Sequence, residues 1–196
     1  MNIKDIKMYL RYYKKCTFLF FLKVFQNLDF KGRLEDRNPL LRGYEGCYPV
    51  RKLLSKLNIN EKDSILDIGC GKGLFLYYAR KFNFNKIVGI EYSENLSNIA
   101  KNNFSLINDK RIRVINIDAR LFSYYEDYNY FFINNPFSAE IMDFVIDNII
   151  ENRKSTVTVI YQFPFSKELF IKKGFKVLLE KYPNIILQYE PKLCII

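Results

Sequence analysis

The stretch "ILDIGCGKG" at residues 65–73 places three glycines at alternate positions directly after a run of apolar residues. Glycine has no Cβ, so a turn of this composition lets the backbone approach a ligand closely. The apolar residues Phe75, Tyr78 and Ala79 follow with helical spacing, and the unpaired N–H groups at the start of such a helix attract polar ligands. We therefore expect a strand, a glycine turn and a helix that together form a ligand site.

Strand-like and helix-like segments alternate along the rest of the chain. Parallel strands need crossover helices, and those helices cover both faces of the sheet, so this order predicts a doubly wound α/β fold. The tail after residue 175 is extended and interrupted near Tyr182 and Pro183, which is typical of an antiparallel pair at the sheet edge. The sheet is thus expected to have seven strands and to be mostly parallel, with its first five strands at residues 64–68, 86–90, 113–117, 130–133 and 156–161.

The first 45 residues differ from the remainder because lysines and arginines alternate with tyrosines and phenylalanines. We interpret residues 1–45 as a helical extension and residues 46–196 as the α/β domain. The extension could pack on its own domain, hold RNA or DNA through phosphate contacts and stacking, or lie on anionic lipid as a peripheral helix. Its apolar segment at residues 16–25 is interrupted by Lys23 and is too short to span a bilayer.

The composition excludes several kinds of chemistry. The 196 residues include no histidine, which removes a histidine general base and any histidine-rich metal site. The four cysteines form no C-x-x-C pair, so we expect a reduced cytoplasmic setting and no bound metal. The formal net charge of +10 favours an anionic partner such as nucleic acid.

Acidic residues lie in, or directly after, three successive predicted strands. Asp67 lies in the first, Glu91 follows the second, and Asp118 follows the third. At the carboxyl ends of parallel strands, Glu91 is placed to accept hydrogen bonds from ribose hydroxyls and Asp118 to accept from the amine of an adenine. The dinucleotide fingerprint G-x-G-x-x-G would need glycine at position 74, which is Leu74 here, so a nicotinamide dehydrogenase is disfavoured.

The segment Asp67–Gly73 resembles the E/D-x-G-x-G-x-G signature of the class I S-adenosylmethionine-dependent methyltransferases. The resemblance runs from about residue 48 to the C-terminus. It implies the seven-stranded sheet of that family and S-adenosylmethionine as the cofactor. The residues that it assigns to the cofactor are Asp67, Gly69, Cys70, Gly71 and Gly73 at the methionine end, Glu91 and Tyr92 at the ribose, Asp118 and Ala119 at the adenine, and Asn134 beside the methyl group.

The segment "NNPF" at residues 134–137 is similar to the (D/N/S)-P-P-(Y/F) motif of methyltransferases that act on base amines or glutamine amides, with Asn135 in place of the first proline. It also resembles the Asn-Asn segment of the non-SET histone lysine methyltransferases. These resemblances imply that Asn134 and a following backbone carbonyl accept hydrogen bonds from the acceptor amine, and that the aromatic ring of Phe137 stacks on it. Pro136 is the third member of this catalytic motif. The remaining candidates for the substrate mouth are Tyr48, Asn135 and Tyr161.

We therefore expect a methyltransferase that acts on a nitrogen of an unidentified acceptor, a nucleic-acid base or a protein side chain. A nitrogen nucleophile needs less help from a general base than a hydroxyl does, which suits a chain without histidine. The alternative is a module that binds S-adenosylmethionine or a nucleotide without turnover, as a sensor or scaffold.

Overall fold

A computed structural model gives the fold for residues 3–32, 46–47, 50–151, 153 and 155–191. Seven strands form one sheet in the order β3-β2-β1-β4-β5-β7-β6. The strands are β1 (Ser64–Ile68), β2 (Lys86–Glu91), β3 (Ile112–Asn116), β4 (Tyr130–Ile133), β5 (Val157–Gln162), β6 (Lys176–Lys181) and β7 (Asn184–Tyr189). The helices are α1 (Ile3–Gln26), α2 (Arg51–Leu54), α3 (Leu74–Ala79), α4 (Glu94–Ile107), α5 (Ala139–Ile150) and α6 (Lys167–Lys172), with a 3₁₀ turn at Tyr125–Asp127.

The first five strands are parallel, and their order reverses between β1 and β4. Ile68 of β1 pairs with Ile90 of β2 on one side and with Ile133 of β4 on the other. The carboxyl ends of these three strands therefore open at one edge of the sheet. In doubly wound proteins this reversal is where ligands bind.

Apolar clusters cover both faces of the sheet, as the doubly wound prediction requires. On one face Phe75 of α3 stacks on Phe132 of β4, with ring centroids 3.8 Å apart. On the other face Met142 and Val145 of α5 pack against the buried side chains of β4 and β5. The predicted class of the fold and its seven strands are confirmed.

Local signals in the sequence account for several of the element ends. Ser93 begins α4 because its Oγ accepts a hydrogen bond from the Leu96 N–H at 3.4 Å, as expected of a capping serine. The C-terminal pair is antiparallel, and β7 lies between β5 and β6. The helix α2 is short and ends at Leu54, and Leu57 beyond it is only partly buried.

The helix α1 packs on the same core as the sheet. Leu19 and Leu22 are buried in the cluster that contains Ile65 of β1 and Phe75 of α3. Phe20, Phe21 and Phe25 are exposed, so most of the phenylalanines in this helix face away from the core. Within the described residues, no helix combines the length and the apolar character needed to cross a membrane.

Candidate functional site

The glycine loop, residues 69–73, joins β1 to α3 in a backbone conformation that only glycine adopts without strain. Gly69 has φ +76° and Gly73 has φ +85°. A Cβ at Gly73 would lie 2.5 Å from the ring of Phe104 on α4. The glycine at position 73 is therefore needed both for its torsion angle and for the close approach of α4.

Glu91 ties the end of β2 to the glycine loop. Its Oε2 accepts from the Gly71 N–H at 2.8 Å, and its Oε1 accepts from the Ser93 N–H at 2.9 Å. The N–H groups of Gly69 and Cys70 donate to the carbonyl of Ile90, the residue before Glu91. These two hydrogen bonds hold Glu91 in a fixed orientation. A carboxylate oxygen can accept two hydrogen bonds, so Glu91 keeps the capacity to bind hydroxyl donors.

Asp67 is the buried acid of the site, with an exposure of 2%. Its Oδ2 has no hydrogen-bond partner among the described residues. Burial raises the pKa of the Asp67 carboxyl well above its ordinary value of 3.8, and the nearby charge of Glu91 raises it further. An acid in this state is stabilised by a ligand that brings a positively charged or amine donor.

A pH-dependent change in stability is expected for Asp67→Asn without ligand. Since the pKa of Asp67 is raised in the folded state, its ionisation destabilises the fold as pH increases through that pKa. The variant should therefore be more stable than the wild type near neutral pH, because the amide brings no charge into the buried site. This advantage should shrink as pH falls towards 3.8 and vanish below it, where Asp67 is protonated in both states.

Urea denaturation between about pH 4 and pH 8 measures this difference. Glu61→Gln, at an exposed acid before β1, is the matched control and should show no comparable gain. An advantage for Asp67→Asn that is the same at every pH would contradict the assignment.

The segment after β4 packs directly on the glycine loop. A Cβ at Gly69 would lie 2.6 Å from the Cβ of Pro136, so the two loops touch. Asn134 donates from Nδ2 to the Gly46 carbonyl at 3.2 Å. Asn135 has φ +47°, a left-handed conformation that asparagine tolerates better than most residues. The "NNPF" segment and the glycine loop therefore form one continuous surface.

Unpaired polar atoms concentrate at this surface. Within the described residues, six buried side-chain nitrogen or oxygen atoms have no hydrogen-bond partner. Four of the six are oxygens in β1 or in the segment that runs from β4 to α5. Buried polar atoms are normally paired, so unpaired oxygens on these two segments indicate a site for a ligand with several donors. They are Asp67 Oδ2, Asn134 Oδ1, Asn135 Oδ1 and Ser138 Oγ.

Residues 41–160 match the methyltransferase domain family, and this range contains the glycine loop, Glu91 and the "NNPF" segment. The chain belongs to that family. An rRNA adenine N-6-methyltransferase of Limosilactobacillus reuteri is 29% identical over 121 residues, which are 61% of this chain and 48% of that protein. An EEF1A lysine methyltransferase 2 of Danio rerio is 31% identical over 80 residues, 41% of this chain and 33% of that protein.

The methyltransferase domain thus spans about half the length or less of these curated relatives. Its fold is also similar to that of the PH0226 protein from Pyrococcus horikoshii OT3, with a TM-score of 0.60 at 17% identity. That match covers 73% of this chain and 88% of the archaeal one, and it shows the shared fold.

Two predicted substrate residues of the methyltransferase domain lie in the core. Tyr161 of β5 has 0% exposure, and its hydroxyl accepts from the Ser166 N–H at 3.2 Å. Phe137 is buried in the cluster beneath α5. Tyr161 is therefore not at an open substrate mouth as predicted, and Phe137 presents little ring surface for stacking. Tyr48 lies outside the described residues.

The adenine end of the predicted cofactor site is built differently from the methionine end. Asp118 is engaged by the Arg120 guanidinium, whose nitrogens donate to both carboxylate oxygens, and these hydrogen bonds hold the pKa of Asp118 below its ordinary value. The Ala119 carbonyl accepts from the Tyr125 hydroxyl at 2.7 Å. Tyr92 is exposed beside Glu91. An adenine amine would therefore have to share Asp118 with Arg120.

Cys70 contributes its backbone rather than its thiol to the site. The thiol is buried, and burial together with the charge of Asp67 raises its pKa. It therefore stays neutral and unreactive at physiological pH. Among the described residues, no cluster of three or more cysteines, aspartates and glutamates is placed to hold a metal ion.

The sequence interpretation missed two contributors to the site. The Gly46 carbonyl holds Asn134, and no local pattern distinguishes it from any other loop carbonyl. Ser138 precedes α5 as a capping serine would, yet its Oγ makes no capping hydrogen bond. A serine before an apolar helix is typical of a helix cap, so the sequence gives no sign that the Ser138 Oγ is unpaired.

Proposed function

We propose that this protein transfers a methyl group from S-adenosylmethionine to an amine nitrogen of an RNA base. The observation that carries the proposal is the presence of four unpaired buried oxygens in β1 and the segment from β4 to α5, two parts of the chain whose loops touch at Gly69 and Pro136. Oxygens accept hydrogen bonds, and amines donate them. Both the amino-acid end of the cofactor and an amine acceptor would satisfy such a group.

The site fits the cofactor at its methionine and ribose ends. The bare backbone of the glycine loop leaves room for a ligand close to the chain. Asp67 would bind the cofactor's ammonium group, which would stabilise its ionised carboxylate, and Glu91 would accept from the ribose hydroxyls. Asp118 and Ala119 would border the adenine, with Tyr92 exposed alongside.

The residues of this chain contribute chiefly by positioning the acceptor. Bound S-adenosylmethionine supplies a methyl group on a sulfonium, which is already activated for transfer. Asn134 Oδ1 would accept a hydrogen bond from the acceptor amine and so direct the nitrogen lone pair towards the methyl group. The donation from Asn134 Nδ2 to the Gly46 carbonyl fixes which way the amide faces. Burial of the site excludes water, and an amine needs no histidine base.

The choice of an RNA base rests on the relatives and on charge. The first relative described above acts on adenine in rRNA according to its name, and adenine carries an exocyclic amine. The net charge of +10 favours a polyanionic substrate because lysine and arginine contacts to phosphates supply much of RNA affinity. The lysine methyltransferase relative makes a protein amine the second candidate, with the same acceptor geometry at Asn134.

Calorimetry and a labelling assay test the proposal. The protein should bind S-adenosylmethionine and its demethylated product, and should bind NAD more weakly than either. Incubation with the methyl-labelled cofactor and separate fractions of RNA, protein and small metabolites should place the label in RNA, with base digestion locating it on a nitrogen. Label in protein would favour the lysine alternative. Cofactor binding without transfer to any fraction would favour a sensor or scaffold, and no binding would contradict the proposal.

A further inference from the structure

Lys72 is buried although it lies in the middle of the glycine loop. Only 9% of its side chain is exposed. The ammonium group donates to Asp29 Oδ2 at 3.2 Å and to the Lys31 carbonyl at 2.6 Å. Both acceptors belong to residues 28–32, which we call the strap and which follow α1 in the chain. The loop that faces the cofactor is therefore held by a segment distant in sequence.

Asn103 of α4 joins the same two elements through their backbones. Its Nδ2 donates to the Lys72 carbonyl at 3.1 Å and to the Asp29 carbonyl at 3.0 Å. Its Oδ1 accepts from the Asp29 N–H at 2.8 Å. Asn103 is 1% exposed, and each of its three hydrogen bonds depends on the strap or the loop being in place.

Apolar contacts fix the strap beside the loop. Asn27 has φ +54°, and the Leu28 N–H donates to the Leu22 carbonyl, which turns the chain sharply at the end of α1. Phe30 is 1% exposed and packs against Tyr77 of α3, with ring centroids 5.3 Å apart. It also contacts Phe104 of α4, the ring that lies against Gly73. The strap therefore abuts both helices that flank the glycine loop.

The hydrogen bonds to Lys72 are charge-assisted and partly buried, so they hold the loop more firmly than a fully exposed ion pair would. On either side of Lys72, Gly71 donates to Glu91 and Gly73 packs against Phe104. A shift of Lys72 would move both neighbours, since all three are consecutive residues. The strap thus influences the contacts of Gly71 with Glu91 and of Gly73 with Phe104, which shape the glycine loop.

We infer that Asp29 and Asn103 are positioning residues that set cofactor affinity by fixing Lys72, so that the segment after α1 forms part of the cofactor-binding apparatus. This inference rests on the proposed function for the identity of the cofactor. The arrangement of the strap, the loop and α4 is independent of which ligand binds. Neither Asp29 nor Asn103 needs to touch the cofactor for this effect.

Lys72→Met and Asp29→Asn test the inference because each removes one charge with little change in shape. Both variants should weaken S-adenosylmethionine binding by about 10-fold in calorimetry, within the range typical of coupled sites. The double variant should bind no more weakly than Lys72→Met, since the two changes remove the same interaction. Lys23→Met is the matched control. The Lys23 ammonium also lies near Asp29, at 3.9 Å, but 57% of the lysine side chain is exposed. The affinity of this variant for S-adenosylmethionine should therefore stay within about twofold of the wild type.

Hydrogen exchange without ligand gives a readout that does not depend on the cofactor. In Lys72→Met the amides of Gly71 and Gly73 should exchange faster than in the wild type, while those of β1 and β4 are unchanged. Wild-type affinity in both variants, fully additive losses, or equally faster exchange throughout the sheet would overturn the inference. If the wild type itself binds no S-adenosylmethionine, the proposed function fails, and exchange at the glycine loop still decides whether the strap positions it.

Discussion

Replacing Asn134 by alanine is expected to reduce methyl transfer by about 100-fold while leaving cofactor affinity within about threefold. The variant loses the unpaired Oδ1 that would orient the acceptor amine, and it loses the donation that fixes this side chain on the Gly46 carbonyl. The contacts of Asp67 and Glu91 do not involve Asn134, so binding of the cofactor should be largely retained. Single-turnover rates with the labelled cofactor and the responsive RNA fraction measure the loss.

The control for Asn134→Ala is Asn98→Ala on the exposed side of α4, which removes the same group outside the "NNPF" segment and the glycine loop. Its rate should equal that of the wild type. Thermal denaturation of Asn134→Ala should show a stable fold, because the lost side chain makes one hydrogen bond to a loop carbonyl. Equal turnover in Asn134→Ala and the wild type would rule out the assigned role of Asn134.

Replacing Glu91 by alanine is expected to weaken S-adenosylmethionine binding by about 100-fold or more, which corresponds to the loss of two hydrogen bonds to a charged group. The variant would lose the acceptors for the ribose hydroxyls and also the acceptor that holds the Gly71 N–H. The glycine loop and the ribose end would thus be affected together. Calorimetric titration measures the affinity directly.

Glu91→Gln separates these effects. The two oxygens of Glu91 accept from two different N–H groups, those of Gly71 and Ser93. An amide has only one oxygen, so its NH₂ group must face one of these donors. We expect an intermediate loss of about 10-fold, the usual cost of one unsatisfied donor. Glu94→Ala, at an exposed acid three residues further along the chain, is the matched control, and a comparable loss in that variant would contradict the role of Glu91.

The sequence predicted the glycine turn at the carboxyl edge of the sheet because that part of the chain is governed by local rules. Glycine at positions 69, 71 and 73 is favoured by positive φ angles, and the strand before it is buried throughout. The acid at the end of β2 follows from the same rule for parallel sheets. These features depend on neighbours in the sequence, so no knowledge of the tertiary structure was needed to find them.

Two predicted site residues are buried because of the way their side chains face. Tyr161 lies near the end of β5, but its ring packs against Phe170 of α6 in the core. Phe137 lies in the "NNPF" segment, yet the left-handed turn at Asn135 precedes a ring that enters the core. The link between Asp29 and Lys72 spans 43 residues and joins two unremarkable charges, so the sequence held no signal for it.

The position of β7 also has a consequence for synthesis of the chain. Every residue of β5 is buried in the finished fold, and β7 pairs along one whole edge of it. Until residue 189 has left the ribosome, that edge of β5 presents unpaired backbone groups and apolar side chains to its surroundings. Between the emergence of residue 162 and that of residue 189 from the ribosome, β5 is therefore open to wrong strand pairing. A chaperone that covers this edge of β5 would prevent such pairing.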